Sequence, residues 1–212
     1  MSKTPRRSRD TYHVGNLAPQ LLNAARAMLE EVGPNKLSLR AVSERVGVSP
    51  TAAYHHYANR AELVGQLAAQ GFRELGTALR IEHSGRAGIQ TLRDASLAYF
   101  SFARCHPALY QLMFGPELAS NEMSLEYREA RDVAFGKLKC IIAEILEQKM
   151  DTGEVLRAAL AAWSYIHGLA SLVIHGVLQA PATTSDSRFV DNTLLGFEQL
   201  FDAVRKAGAG RL

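Results

Sequence analysis

The sequence predicts an all-α fold, because its apolar residues recur with helical spacing and no stretch alternates for long enough to form a strand. Clusters of Gly, Pro and polar residues interrupt this pattern near residues 83–88, 115–121, 151–153 and 180–187, and they predict loops between helices. The chain has 212 residues, 47% of them hydrophobic and 21% charged, which is ordinary composition for one large or two small globular domains.

The first predicted helix carries an apolar stripe with three- and four-residue steps that begins at Leu17 and is stopped by Gly33 and Pro34. A shorter second helix repeats this stripe from Leu39 to Val46. Further helices are predicted at roughly residues 60–80, 89–105, 124–149, 153–179 and 187–206.

Positive charge is concentrated near the N-terminus. Residues 1–60 contain nine Lys and Arg against four Asp and Glu, whereas the remaining residues contain fifteen against seventeen. A basic segment joined to a mildly acidic remainder is typical of a nucleic-acid-binding module attached to another domain. A solubilising arm is the alternative, because four of the basic residues lie before residue 10 in a segment predicted to be flexible.

The segment from Ser38 to Arg60 has the pattern of a helix-turn-helix. Gly47 supplies a tight turn, and the helix after it can be capped by Ser49 and begun by Pro50 without loss of a hydrogen bond. The leading residues of that helix are small, so they can approach base edges in the major groove of DNA. A helical hairpin that does not bind DNA is the alternative, since many such hairpins contain a glycine turn.

Two phenols and two imidazoles follow one another from Tyr54 to Tyr57, in what the pattern predicts to be the second half of the same helix. We expect Tyr54 and His56 to donate hydrogen bonds to phosphate oxygens, which fix the position of a protein on DNA without reading bases. Tyr57 is expected to pack against the first helix instead. Metal binding by His55 and His56 is not expected, because neighbouring helical residues point about 100° apart.

Arg60 begins the next predicted helix, where Asn59 can act as the cap and Glu62 can complete a capping box. An Arg beside a helix N-terminus is suited to bind a phosphate group. The predicted DNA-binding residues are Ser38, Arg40, Ser49, Pro50, Thr51, Ala52, Ala53, Tyr54, His55, His56 and Arg60.

The segment from Asn16 to Leu63 resembles the DNA-binding domain of the TetR family of bacterial transcriptional regulators. That family usually has Phe in place of Tyr57 and Lys in place of Arg60, and both differences preserve the physical role of the side chain. The matching pieces are the first amphipathic helix, the Leu37–Val42 segment, the Val46–Ser49 turn and the Tyr54–Tyr57 run.

Two later segments, 106–114 and 162–170, resemble a TetR subgroup whose C-terminal domain carries a Trp…His-Gly signature. The resemblance implies a basic flexible arm at 1–12, a helix-turn-helix DNA-binding domain at 13–60, and a helical effector-binding and dimerisation domain at 61–207. It says little about the ligand, because effector domains diverge widely in this family.

The resemblance also implies a homodimer, in which the helices near 153–179 and 187–206 form a four-helix bundle with those of a second copy. Both helices are apolar around much of their circumference, and such helices need partners on more than one side. Small residues such as Ala162, Gly168 and Gly196 permit close helix approach. A monomeric core with the same apolar stripes is the alternative.

A ligand pocket is predicted where soft and aromatic side chains surround the Pro107 break and a later helix. Ligand sites are mostly apolar, contain a few polar groups and lie between helices. The hydroxyl and imidazole groups suit a small, partly polar effector that is aromatic or amphipathic. The alternative is that these residues are core, with their polar tips bonded internally. The predicted ligand-binding residues are Tyr99, Phe102, His106, Tyr110, Met113, Phe114, Trp163 and His167.

Other functional classes have little support. No GxSxG, HExxH, GxxxxGK[ST] or GxGxxG motif is present, so no catalytic residue, metal site or cofactor is predicted. Cys105 and Cys140 are too few for a disulfide framework, which favours a reducing cytoplasm. Uninterrupted apolar segments are far shorter than the roughly 20 residues that span a bilayer, and no signal peptide is apparent.

These features predict a homodimeric regulator that binds a palindromic DNA operator. Repression, and release by a small-molecule effector, are expectations drawn from the family resemblance. An interaction module that has lost DNA binding is the remaining rival, and the intact segment at 49–60 argues against it.

Overall fold

A computed structural model of the protein describes residues 16–79, 88–118, 124–179 and 185–209. Within these ranges every regular element is a helix and no strand occurs, which confirms the predicted all-α class. The predicted basic arm at 1–12 lies outside the described residues.

The helices form two compact units, divided between Leu67 and Ala68. The first unit contains α1 (Leu17–Val32), a 3-10 turn (Pro34–Lys36), α2 (Leu39–Val46), α3 (Pro50–Tyr54) and the beginning of α4 (Arg60–Ala78). The second contains the rest of α4, α5 (Gly88–Cys105), α6 (Pro107–Met113), a 3-10 turn (Pro116–Leu118), α7 (Leu125–Ile145), α8 (Gly153–Ile174) and α9 (Asp186–Ala209). The predicted boundary at residue 60 is where α4 begins, whereas the division lies within that helix.

The predicted apolar stripe of α1 forms one side of the core of the first unit. Leu21, Ala25 and Leu29 of α1 are fully buried, and so are Leu39 and Val42 of α2, against which α1 packs. Full burial of a Leu side chain stabilises a fold by about 1.5–3 kcal/mol relative to exposure. The spacing of these residues therefore determines which face of each helix turns inward.

Capping residues determine where α2 and α3 begin. Ser38 Oγ accepts a hydrogen bond from the Ala41 N–H at 3.2 Å, and Ser49 Oγ accepts one from the Ala52 N–H at 3.2 Å. Between the two helices Gly47 has a φ of 80°, a left-handed conformation that glycine adopts without strain. The predicted turn and the predicted Ser49 cap are both confirmed.

The prediction that α3 continues through Tyr57 is wrong. The helix ends at Tyr54, and the N–H groups of His56 and Tyr57 bond the carbonyl of Ala53, each at 3.0 Å. Asn59 must leave the helical conformation to cap α4, so the chain turns between the two helices. His55, His56 and Tyr57 consequently lie in this turn.

In the second unit α5 is the central helix, since it contacts α7, α8 and α9. Between α7 and α8 lies a buried cluster that includes Leu138, Ile142, Val155 and Ala159. Arg93 of α5 holds α9 by donating from Nε and Nη2 to the two carboxylate oxygens of Asp191, at 2.5 and 2.7 Å. These hydrogen bonds lower the pKa of the Asp191 carboxyl.

Two helices of the second unit end earlier than predicted. α7 stops at Ile145, shortly before Glu147 takes a φ of 51°. α8 stops at Ile174, because the chain enters a turn in which Gly176 has a φ of 70°. Both departures require backbone conformations that an α-helix cannot contain.

Several large apolar side chains of α8 and α9 remain exposed in the single chain. They are Leu156, Leu160 and Leu172 of α8, Val177 and Leu178 just after it, and Leu195 and Phe197 of α9. By length and composition alone α8, with 22 residues, also qualifies as a membrane-crossing helix. Scattered polar residues interrupt its apolar runs without ending the helix, so the sequence contains no uninterrupted apolar segment of this length. A helix that packs against other helices in a protein core meets the same criterion of length and composition.

Candidate functional site

The leading end of α3 forms an exposed polar surface on the first unit. Ser49, Pro50 and Thr51 are exposed, and Ala52 is half-buried. Ala53 is fully buried, with an exposure of 0%. Its assignment as a DNA-contacting residue is therefore wrong, because α3 turns this methyl group into the core while the neighbouring residues face outward.

The turn after α3 extends this surface with larger side chains. Tyr54, His55 and His56 are all exposed. Tyr57 points the other way, with 6% exposure, and its hydroxyl donates to the carbonyl of Ala18 on α1 at 3.1 Å. The predicted packing of Tyr57 against the first helix is confirmed.

The start of α2 lies in the same unit and contributes two of the predicted residues. Ser38 is half-buried, because its hydroxyl caps the helix, whereas Arg40 is exposed. Arg45, near the end of α2, is instead paired with Glu31 of α1 through two hydrogen bonds of 2.5 and 2.7 Å. The bonds from Arg45 lower the pKa of the Glu31 carboxyl, and Arg45 serves to connect the two helices.

Arg60 has an unexpected structural role. Its Nε donates to the carbonyl of Leu37 at 2.9 Å, and its Nη2 donates to the carbonyl of Pro34 at 2.7 Å. The side chain thereby attaches the start of α4 to the segment between α1 and α2. Sequence reasoning missed this role because both acceptors are main-chain oxygens more than twenty residues away.

The predicted capping box at the start of α4 is present in a modified form. Asn59 Oδ1 accepts from the Glu62 N–H at 2.9 Å, as expected for a cap. Glu62 Oε2 accepts from the N–H of Ala58, at 2.6 Å, and not from that of the capping residue itself. The reciprocal pair fixes the direction in which the chain enters α4.

A cavity of about 520 Å³ lies in the second unit, lined by α4, α6, α7 and α8. Its size is within the range of roughly 300–1,000 Å³ that is usual for small-molecule sites. The lining residues are Phe72, Met113, Phe114, Gly115, Leu118, Tyr127, Arg131, Asp132, Phe135, Leu160 and Trp163.

Five of the eleven described lining residues are aromatic, and several of their rings meet edge to face. The Phe72 ring lies 5.3 Å from that of Phe114 and 5.6 Å from that of Tyr127, between ring centres. The rings of Phe135 and Trp163 are 5.2 Å apart in a similar arrangement. Such contacts fix ring orientations, so the shape of the cavity is well defined.

A hydrogen-bonded group of two tyrosines and a histidine lies behind this wall. Tyr99 and Tyr110 place their hydroxyl oxygens 3.1 and 2.7 Å from Nδ1 of His167, and Nε2 of that ring is 3.4 Å from Ser171 Oγ. Burial lowers the pKa of His167 and raises the pKa of both tyrosines. The neutral form of the imidazole is therefore favoured, and its tautomer sets whether Nδ1 accepts from a phenol or donates to one. Phe114 joins the group to the cavity, with its ring centre 4.4 Å from that of His167.

The eight residues predicted to bind ligand occupy three places in the second unit. Met113, Phe114 and Trp163 line the cavity. Tyr99, Tyr110 and His167 form the hydrogen-bonded group behind it. Phe102 and His106 line a separate open groove with residues of α4, among them Gln70 and Arg73.

Sequence reasoning missed several residues of the cavity wall. Phe72 comes from α4, and Tyr127, Arg131 and Phe135 come from α7. The four-residue spacing of the last three places them on one face of a helix, and this signal was available in the sequence. Nothing in the local pattern shows that this face meets Trp163.

The two units correspond to two known domain families. The model described as "Bacterial regulatory proteins, tetR family" matches residues 21–67, and "Tetracyclin repressor-like, C-terminal domain" matches residues 92–194. The chain belongs to the TetR family of transcriptional regulators. The C-terminal match spans the segments 106–114 and 162–170, which carry the second resemblance in the sequence.

Several known proteins resemble the chain over most of its length. A solved protein of unknown function from Rhodococcus sp. RHA1 is 29% identical, with a TM-score of 0.71, over 87% of this chain and 94% of that one. The HTH-type transcriptional regulator Rv0681 of Mycobacterium tuberculosis is 25% identical over 82% of this chain and 77% of its own length. YobS of Bacillus subtilis, also an HTH-type regulator, is 22% identical over 76% and 80%.

Membership of the TetR family establishes the general activity. The protein is a DNA-binding transcriptional regulator with an N-terminal helix-turn-helix, and it is not an enzyme. The helix-turn-helix comprises α2, the Gly47 turn and α3. The cavity lies in the unit that corresponds to the C-terminal domain of TetR proteins.

Proposed function

We propose that the protein is a ligand-responsive repressor that binds a palindromic operator as a homodimer and leaves it when a small-molecule effector binds. The observation that carries the proposal is the exposed surface of α3 and the turn after it, formed by Ser49, Thr51, Tyr54, His55 and His56. This surface is slim at its leading end and rests on a capped helix with a buried side. A recognition helix needs these properties to enter a major groove.

The exposed residues divide by chemistry into base-reading and phosphate-binding groups. Thr51 and the half-buried Ala52 are small and lie in the first turn of α3, where a recognition helix approaches base edges. Arg40, Tyr54 and His56 are exposed donors with longer reach, which suits phosphate oxygens. The exposed Ser49, Pro50 and His55 and the half-buried Ser38 complete the proposed interface.

Dimer formation explains the uncovered apolar side chains of α8 and α9. Leu156, Leu172 and Leu195 are about half exposed in the single chain, with values of 44%, 45% and 52%. Pairing these two helices with their copies in a second chain would bury them in a four-helix bundle. A symmetric pair can place two α3 helices in successive major grooves, about 34–36 Å apart, as a palindromic site requires.

The cavity provides a place for an effector. Phe72 in its wall belongs to α4, the continuous helix that begins at Arg60 in the DNA-binding unit. A ligand that prefers one arrangement of this wall shifts the protein toward the conformation in which that arrangement occurs. Coupling of about 1–3 kcal/mol between the two sites is usual and would lower operator affinity roughly five- to 150-fold. Such a regulator acts in the cytoplasm, where its DNA is.

Selection of genomic fragments by the purified full-length protein tests the proposal. We expect the bound fragments to share an inverted repeat whose half-sites are about 10 base pairs or a multiple apart, with affinity that falls steeply with salt. A Tyr54→Phe, His56→Gln double variant should bind the same repeat several-fold more weakly. Arg128→Gln on α7, which removes an exposed charge from the other unit, is the control and should bind like wild type.

Three results would contradict parts of this proposal. If the protein binds no fragment in a salt-sensitive way, it is an interaction module that does not bind DNA. Binding to single half-sites by a monomer would remove the dimer. Tight operator binding that no cavity ligand weakens would remove the effector response.

A further inference from the structure

The cavity carries charge only at its mouth. Among its described lining residues the charged ones are Arg131 and Asp132, whose side chains are 48% and 69% exposed. Nε and Nη2 of Arg131 both donate to one carboxylate oxygen of Asp132, at 3.1 and 3.0 Å. An exposed pair of this kind adds little stability, so a ligand group can take the place of Asp132 at small cost.

The position of Arg131 on α7 directs it toward a ligand. Tyr127, Arg131 and Phe135 follow one another at four-residue spacing, and all three line the cavity. Asp132 is turned by about 100° from Arg131 and projects further into solvent. The Arg131 charge also acts on the Tyr127 hydroxyl, since it partly offsets the burial that raises the pKa of that group. The cation thus belongs to the ring-lined face of α7.

The interior of the cavity selects for a flat apolar body. Rings of Phe72, Phe114, Tyr127, Phe135 and Trp163 surround it, and aromatic pairs are worth about 0.5–1.5 kcal/mol beyond the area that they bury. A planar ring system gains these contacts, whereas an aliphatic chain gains burial alone. The neutral His167 ring behind Phe114 adds no positive charge that would compete with Arg131 for an anion.

We propose that the cavity binds planar aromatic carboxylates, with the ring system among the Phe72, Phe114 and Trp163 rings and the carboxylate on Arg131. A carboxylate suits the forked donors of an Arg side chain, because two parallel hydrogen bonds can form. The proposal deepens the effector site of the proposed function. The binding itself does not depend on DNA or on repression.

The proposal is tested by calorimetric titration of the full-length protein, without DNA, with four probes. These are 2-naphthoate, neutral 2-naphthamide, cationic 2-naphthylmethylammonium and aliphatic decanoate. We expect 2-naphthoate to bind most tightly, with 2-naphthamide roughly tenfold weaker because it lacks a charge-assisted hydrogen bond. Decanoate should also be weaker than 2-naphthoate, and the ammonium probe weakest of the four.

A pair of matched variants locates the carboxylate. Arg131→Gln should weaken 2-naphthoate roughly tenfold and leave 2-naphthamide unchanged, since only the charged hydrogen bonds are lost. Arg128→Gln removes the same charge from an exposed position of α7 outside the cavity and should change neither affinity. Asp132→Asn should bind 2-naphthoate as tightly as wild type or more tightly. All three α7 variants change exposed side chains, so none is expected to disturb folding.

Specific outcomes would overturn the proposal. Equal affinities for 2-naphthoate and 2-naphthamide would remove the carboxylate contact, and tighter binding of decanoate would remove the aromatic preference. Tightest binding of the ammonium probe, lost in Asp132→Asn, would assign the site to cations. Binding of 2-naphthoate that does not weaken operator affinity leaves this inference standing and contradicts only the effector response.

Discussion

The hydroxyl oxygen of Tyr110 lies 2.7 Å from Nδ1 of His167, and this bond connects α6 to α8 inside the second unit. Burial raises the pKa of the Tyr110 hydroxyl, so its proton stays on the oxygen. Burial lowers the pKa of His167 and favours its neutral ring, and the tautomer of that ring sets whether Nδ1 accepts from the phenol or donates to it. Protonation of His167 would therefore place a positive charge in the partly buried layer that supports Phe114.

This arrangement makes the second unit sensitive to acid. Because the folded protein disfavours the charged imidazole, the unfolded chain binds the proton more readily, and the free energy of unfolding falls as pH drops below about 6.5. The contribution is fully present above that value. His167→Asn should lower the free energy of unfolding at about pH 7.5 by about 1–2 kcal/mol. When the pH is lowered to about 5.5, the variant should lose less of its free energy of unfolding than wild type does. Thermal denaturation at the two pH values measures both effects.

His55→Gln is the control for this prediction, because His55 is exposed in the first unit and carries an equivalent ring. Its acid sensitivity should match that of wild type. If His167→Asn loses as much stability between the two pH values as wild type does, another group is responsible for the acid effect.

Local chemistry made the helix-turn-helix predictable. Gly47, Ser49 and Pro50 each determine the backbone of their own neighbourhood, and the structure places the turn, the cap and the helix start as the sequence indicated. The end of α3 and the burial of Ala53 were not predicted. Both accompany packing of this region on distant parts of the chain, as in the bond from Tyr57 to Ala18 on α1, 39 positions away.

The cavity was predictable only in part, for a similar reason. Met113, Phe114 and Trp163 belong to segments whose aromatic composition is conspicuous in the sequence. Phe72 and Arg131 lie on α4 and α7, in ordinary amphipathic surroundings, and join the site only because the helices pack side by side. Spacing along one helix shows which residues share a face, but not which other helix that face meets.

Thr51→Ala tests the reading of bases by α3. Removal of an exposed hydroxyl should relax discrimination at one base pair of each half-site by about 1–3 kcal/mol, with little change in stability. Ala53→Leu, at a fully buried position two residues away, should instead reduce the free energy of unfolding by about 1–3 kcal/mol through overpacking. Competition binding with single-base operator variants, beside urea denaturation, separates the two. A Thr51→Ala protein with unchanged base preference would contradict the assignment.

Arg60 can be tested for two roles at once. Arg60→Ala should lower the free energy of unfolding by about 1–2 kcal/mol, because the bonds to Pro34 and Leu37 are lost. If Arg60 also approaches a phosphate, as the sequence predicts, the slope of log affinity against log salt should fall by about one. Arg60→Lys should keep that slope, because the charge remains, and still lose stability, because Lys lacks the forked donors. If Arg60→Ala loses stability but keeps the salt slope of wild type, Arg60 has the structural role and not the phosphate role.

The basic arm before α1 is predicted to follow the minor groove. Deletion of residues 1–10 removes four positive charges and should lower operator affinity and reduce the salt slope by up to about three or four. A full-length variant with the same four residues changed to Gln separates charge from length. The prediction fails if the shortened protein binds its operator as tightly as wild type in a salt titration.

Gly168 of α8 provides a direct test of the dimer. A Cβ atom built there meets nothing within 4 Å in the single chain, and the same is true of Gly136 on α7. Replacing either by Gln should therefore be tolerated within a protomer and should favour its helix by up to about 1 kcal/mol. If α8 packs closely against a second copy, however, only Gly168→Gln places a long side chain in the interface. Sedimentation velocity should then find Gly168→Gln shifted toward monomer with weakened operator binding, while Gly136→Gln remains dimeric. Two dimeric variants with wild-type affinity would show that α8 does not form a close interface at this position.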